Sequence, residues 1–246
     1  MEARADETVG EVIRARLIAA ARILIERDGA DAIVLGCAEE EHRLQARKPL
    51  FSRGQPHRTH MEWRDEECAF LGTRRLIAPA CKSGQATHIL HVSTAEELDY
   101  LRGYRDIATV EVLVNHLTKV APDCYDRLGV MNTPIRSERH RAAAWAAGRL
   151  SLARLVDLMA ACPARVYGLP GKGRIAAGYD ADFTLVDLKA LRTIKESWIV
   201  SPCGWTPFAG TAVTGWPMAT IVRGQPVMRD DTILGSPRGG LARFAA

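Results

Sequence analysis

The sequence is poor in several features that mark common classes. Aromatics make up 6% of the 246 residues, so a core must be built mainly from aliphatic side chains. The six cysteines, at 37, 68, 81, 124, 162 and 203, form no Cys-x-x-Cys pair. That excludes a zinc ribbon and a dithiol redox motif, and the spread suits free thiols rather than a disulfide framework. Neither sign of charge dominates: 33 basic residues stand against 29 acidic ones, interleaved along the chain. A formal charge of +4 so distributed gives no nucleic-acid footprint. The only long uncharged stretch, Ser197 to Val222, holds Pro202, Pro207, Pro217, Gly204, Gly210 and Gly215. Breakers at that density exclude a membrane helix and read as short strands and turns. The opening Met-Glu-Ala-Arg-Ala-Asp-Glu has no apolar signal region, which predicts a cytoplasmic protein. Two absences bear on chemistry. There is no His-x-His, and no Asp between Asp126 and Asp157.

What is present is a globular composition, 47% hydrophobic and 25% charged. The pattern predicts an α/β fold in three segments: 1–37, 38–161 and 162–246. Val12, Ile13, Leu17, Ala20, Leu24 and Ile25 recur at helical spacing, Asp28-Gly29 ends that helix, and Ala32 to Leu35 is an apolar strand running into Gly36-Cys37. In the second segment, Glu66 to Lys82 reads as a helix and Thr87 to Thr94 as a strand. Thr94 caps a helix over 95–102, with Glu97 completing a capping box. A strand over 109–114 and helices over 138–147 and 152–161 follow, giving βαβα order and a parallel sheet. In the third segment, strands are expected over 173–175, 181–187, 218–223 and 225–228. Val222 to Val227 reads as a hairpin in a small β-domain.

Few residues qualify for chemistry. On a strand, His91 and Ser93 share one face, with His88 and Val92 on the other. His91 is therefore either a partly buried, satisfied histidine or a ligand or acid–base at the strand's C-terminal end. Cys37 is either a small buried residue or a reactive thiol. Glu39-Glu40-Glu41 reads as a solvated loop. Asn132-Thr133-Pro134-Ile135-Arg136 is either a turn with a surface Arg or a polar loop suited to a carboxylate or amide ligand.

Longer motifs carry a resemblance. Gly171 to Asp187 (GKGRIAAGYDADFTLVD) is similar to the C-terminal signature of the dihydroorotases, in the amidohydrolase superfamily. Cys162 to Gly168, Trp205 to Gly210 and Thr220 to Gly224 match the same family, as do His88 to Thr94, Glu111 to Leu117 and Asn132 to Arg136. The resemblance covers about residues 38–246. It implies an incomplete amidohydrolase-type (β/α) barrel with a small C-terminal β-domain. It also implies a zinc-dependent cyclic amidase of pyrimidine biosynthesis that interconverts carbamoyl aspartate and dihydroorotate. In that family zinc polarises the amide carbonyl and activates water, and an Asp shuttles the proton. By resemblance, His91 stands at the sixth-strand zinc ligand, Cys37 at the fifth-strand ligand histidine, and Asn132 at the substrate-binding Asn.

The departures from the pattern are equally plain. The first-strand His-x-His-x-Arg, the second-strand Asn and the fourth-strand metal bridge have no counterpart. The eighth-strand Asp, ligand and general base, is expected after Arg136, but the 14 residues 137–150 contain none. A full barrel takes about 250 residues by itself. Residues 29–37 further resemble the catalytic-Cys strand of the aspartate/glutamate/hydantoin racemases, so the chain reads as a junction near Cys37. The resulting expectation is a dihydroorotase-like protein impaired in catalysis. The alternatives are a non-catalytic subunit scaffolding aspartate carbamoyltransferase, a degenerate gene fragment that pairing into a homo-oligomer could complete, and a racemase acting through Cys37.

Overall fold

The computed structural model describes residues 40–51, 54–131, 133–148 and 151–244. The chain divides into two compact units, Met1–Arg149 and Leu150–Ala246. The segment over 152–166, read from the sequence mostly with the barrel, clusters with the C-terminal unit.

In the first unit, α1 (Glu41–Arg47), α2 (Thr59–Trp63) and α3 (Glu66–Ser83) precede strand β1 (Thr87–Ile89). Then come α4 (Ala95–Leu101), β2 (Ala108–Val110), α5 (Val114–Thr118), α6 (Asp123–Leu128) and α7 (Glu138–Gly148). The acidic run is not a solvated loop as far as it is described. Glu41 opens α1, and Glu40 pairs with Arg75 at 2.9 Å. Helix α3 forms where the sequence predicts it. Asp65 caps its start by accepting from the Cys68 N–H, and Gly84, at φ 71°, ends it in the left-handed conformation that glycine adopts without strain. Arg43 holds the same Asp65 at 2.6 Å. Burial opposes ionisation of Asp65, but the bonds from Arg43 and Cys68 outweigh it and hold the carboxyl at about 2.

Strands β1 and β2 pair in parallel, Thr87 with Ala108 and Ile89 with Val110. Both are shorter than expected. β1 stops at Ile89 instead of Thr94. Past it the chain turns at His91, φ 41°, and the N–H groups of Ser93 and Thr94 bond to the Glu97 carboxylate, so they are withdrawn from any ladder. β2 gives way to α5 before Val114 is paired. Ile77, Ile89, Val92, Leu101 and Ala108 form the core against which Leu98, Tyr100, Tyr104 and Ile107 pack. A second cluster joins Ala121, Tyr125 and Ile135.

In the second unit, α8 (Leu152–Val156), one π-helical turn (Asp157–Ala161) and α9 (Cys162–Val166) replace the single helix expected over 152–161. Pro163 has no N–H to give to residue 159 and its ring crowds that carbonyl, so the chain widens into a π turn there. A four-stranded antiparallel sheet follows, in the order β3 (Phe183–Thr193), β4 (Ala212–Val222), β5 (Gln225–Arg229), β6 (Thr232–Ile233). The predicted hairpin is present: Val222 pairs with Gln225, and Arg223 and Gly224 take φ 49° and 76°, the two positive angles of a type I′ turn. The strand expected at 173–175 is a turn. Gly173 sits at φ 80°, where a Cβ would collide with the Ala160 carbonyl, and Ile175 is 87% exposed. Among the described residues of this unit only Ala164 and Ala219 are buried. No described helix is long and apolar enough to cross a membrane.

Two substitutions test these anchors. Glu97→Gln replaces a buried carboxylate that accepts only from donors and should cost about 3 kcal/mol in urea unfolding. Gly173→Ala places a Cβ 2.7 Å from the Ala160 oxygen at a disfavoured φ, and should cost the C-terminal unit about 3 kcal/mol.

Candidate functional site

Of the residues expected to matter, His91 lies just past the C-terminal end of β1, the end at which parallel α/β sheets place ligands. The connection from β1 to α4 is built around Glu97, 4% exposed. Its Oε2 accepts from Ser93 N at 3.2 Å, Thr94 N at 3.0 Å and Thr94 Oγ1 at 2.9 Å, while Oε1 accepts from Thr73 Oγ1 at 2.7 Å. The Thr94 hydroxyl in turn accepts from the Glu97 N–H, completing the predicted capping box. From the other side, Glu111 accepts the His91 N–H at its carboxylate (3.3 Å) and the Val92 N–H at its carbonyl (2.8 Å). His91 is thus clamped in a conformation that non-glycine residues seldom adopt. The strand-face argument fails for it, because pleat alternation stops at Ile89. His88 does lie on the strand, where its Nδ1 meets Thr109 Oγ1 at 2.8 Å.

A buried guanidinium ties this loop to its neighbours. Arg136, 3% exposed, donates to Ser93 Oγ at 3.3 Å, the Arg64 carbonyl at 2.6 Å and the Asp65 carbonyl at 3.3 Å. It is neither a surface Arg nor, by these bonds, a substrate clamp. The Tyr125 hydroxyl accepts from Ile135 N and donates to Ile135 O, which fixes the same segment. Burial pushes that phenol up to about 12. His140, on α7, accepts the Ala95 N–H at Nδ1 (3.0 Å) and meets Glu66 at Nε2 (2.8 Å), so its proton belongs on Nε2.

Two further buried histidines were not singled out from the sequence. His60 lies among Phe51, Trp63 and Tyr125. His116, on α5, is 5% exposed, and apart from the approach of the Thr133 backbone neither ring nitrogen has a hydrogen-bond partner. Burial first, and then Arg64 and Arg136, lower His60 to about 4. Burial, Arg136 and His91 do the same for His116 against the opposing pull of a hydrogen bond to the Thr133 backbone. The sequence signal for His116 was slight: a lone His in the Glu111–Leu117 stretch at no metal-ligand spacing from His91.

The expected metal set can be tested against this geometry. A catalytic zinc needs three protein ligands converging on one point. Among the described residues no group of three or more His, Cys, Asp or Glu does so. Of the predicted residues, His91 is described; Cys37 and Asn132, with the helix and strand read over 7–36, lie outside the described residues. The side chains described here do not fit a zinc centre.

Comparison with known proteins decides the ancestry. Residues 18–227 match the amidohydrolase family. The chain belongs to that family. This amidohydrolase is 28% identical over 249 residues to a dihydroorotase of Methanothermobacter thermautotrophicus, covering 82% of this chain and 58% of that one. It is 30% identical to a dihydroorotase of Pyrococcus furiosus, over 67% of this chain and 50% of that one. In fold it matches the L-hydantoinase (dihydropyrimidinase) of Arthrobacter aurescens with a TM-score of 0.77 at 22% identity, covering 87% of this chain and 60% of that one. The chain therefore spans about half to three-fifths of the length of these relatives. The amidohydrolase family generally binds a metal, and the dihydroorotase resemblance read from the motifs holds at the level of the family.

The buried histidines predict a pH dependence. Both ionise less readily folded than unfolded, so unfolding takes up protons between about pH 6.5 and 4. Stability is full above that window and falls as pH drops through it, by up to about 1.4 kcal/mol per pH unit per histidine. Urea midpoints at pH 7, 5.5 and 4.5 should show this fall, and His60→Phe should remove about half of it.

Proposed function

We propose that this chain is a dihydroorotase-like amidohydrolase impaired in hydrolysis. It keeps the family's frame around a cyclic-amide site, and the stretch after Arg136 does not supply the acid expected to carry ring opening of dihydroorotate. The observation that carries this reading is the course of the chain after Arg136. The resemblance puts the eighth-strand Asp, ligand and general base, beyond that residue. Here the chain passes through Ser137 directly into α7, and no Asp occurs from 127 to 156. Glu138, in the first turn of α7, is no substitute, since Arg141 neutralises it in a surface pair.

A second reading is favoured by the C-terminal unit. Its described sheet buries one residue, Ala219, whereas Leu188, Leu191 and Ile233 are 55%, 78% and 62% exposed. A sheet is stable when one face is covered. An assembly role, with aspartate carbamoyltransferase or a further copy of this chain as the covering partner, meets that requirement.

Dihydroorotate hydrolysis in zinc-supplemented buffer tests the first reading. The expected result is turnover at the uncatalysed rate for both the full chain and His91→Ala. Turnover that His91→Ala abolishes overturns it. Copurification with a transcarbamoylase, or a concentration-dependent increase in mass, is expected for the second; a monomer that binds neither counts against it.

A further inference from the structure

The sheet of the C-terminal unit carries a groove that amide hydrolysis does not use. Thr220 pairs with Met228 and Met228 with Ile233, so the three stand in one row on one face of β4, β5 and β6. Ile221 pairs with Pro226, which leaves Val227 one residue extra in β5, a bulge. In a regular strand Val227 and Met228 would face opposite ways. Bulges re-aim side chains, and here both residues line the same groove. Past β6 the chain stays on the sheet. The Leu234 N–H donates to the Val227 carbonyl at 2.9 Å, and Gly240 lies against the Arg223 guanidinium, which a Cβ there would meet at 2.5 Å. Segment 234–240 is thus a strap fixed near both ends, and its residues up to Gly239 form the second wall of the groove. The groove holds about 520 Å³, within the range of small-molecule sites.

Its lining selects a ligand class. Val222, Val227, Met228, Ile233 and Leu234 give an apolar floor, and Ile233 is 62% exposed, so the described residues of this unit leave it open. Arg238, on the strap, is the charged residue of the lining. The ion pairs described in this unit do not use it: Asp157 is held by Arg154 and Arg165, and Asp180 and Asp182 by Lys172. A guanidinium beside an apolar floor suits an amphiphile with an anionic head, since Arg grips carboxylate or phosphate through paired N–H groups. A phosphate monoester brings a charge of about −1.5 to −2, more than one cation compensates. A monocarboxylate is matched one for one. We propose that the groove under the strap binds an apolar monocarboxylate of the medium-chain fatty acid type, its chain on Val227, Met228 and Ile233 and its head on Arg238. The Thr220 and Ser236 hydroxyls, also in the lining, supply further donors. This site shares no residue with the cyclic-amide reading.

The test is calorimetry of the full chain with decanoate, kept too dilute to form micelles. Decanol serves as the uncharged match, and the ¹³C shift of the Met228 methyl group reports the place of binding. Decanoate should bind and move that methyl group, and decanol should bind about fivefold more weakly, as loss of one exposed charge pairing implies. Arg238→Gln changes an exposed strap residue. It should bring decanoate down to the affinity of decanol and leave decanol unchanged, while Arg238→Lys should recover part of the difference. Met228→Glu sets a carboxylate in the groove and should weaken decanoate by more than about tenfold; the Arg238 variants decide the matter if it does not fold. Equal affinity for decanoate and decanol overturns the inference, as does wild-type affinity for decanoate in Arg238→Gln. A groove filled by a second copy would show a dimer in sedimentation and no decanoate uptake, and absence of uptake by dimer or monomer overturns it too.

Discussion

The buried carboxylate of Glu97 is the constraint on which the first unit depends. A carboxylate at 4% exposure is tolerable only if its lone pairs are filled, and four donors fill them: two backbone N–H groups and the hydroxyls of Thr94 and Thr73. Filling them has consequences in every direction. It starts α4, it ties α3 to α4 through Thr73, and it takes the N–H groups of Ser93 and Thr94 away from β1. The strand ends early for that reason, and the freed loop carries His91 into its left-handed turn. Ser93 then passes the restraint to Arg136, whose guanidinium reaches back to the carbonyls that precede α3.

That network also separates scaffold from chemistry. Arg136 and Tyr125 carry much of the polar character expected of a binding loop, yet their bonds are spent on backbone groups. Zinc chemistry in the family depends on convergent ligands from several strands, and the segment after Arg136 is helical where an acidic ligand was expected. Ancestry and activity are therefore distinct conclusions. The family match rests on ordered motifs and a shared fold, whereas hydrolysis rests on individual side chains.

Much of the fold was legible. The Thr94–Glu97 capping box, α3 with its Gly84 terminus, the hairpin at Arg223-Gly224 and the parallel pairing of the first unit's strands each follow from short-range signals: cap residues, apolar periodicity and turn glycines. The errors share a cause as well. The strand over 87–94 was read from β-branched and apolar residues, but the competing acceptor, Glu97, acts through a tertiary enclosure that also needs Thr73. The helix over 152–161 was read from periodicity, which does not register how Pro163 widens the turn before it. The strand at Gly173 failed because the glycine was needed for close approach to Ala160, not for extension.

The sequence alone determined the family and the identity of the groups available for catalysis, because ligand types and their order along the chain are written directly in it. It also determined what is missing between Arg136 and Ser151. Only the tertiary structure decided which polar groups are spent and which are left over. Arg136 read either as a surface residue or as part of a binding loop and is a buried tie, while His116, not singled out in the sequence, is a buried ring against the Thr133 backbone. Whether a hydrogen bond is satisfied depends on atoms from distant segments meeting within about 3 Å, and no local pattern records that.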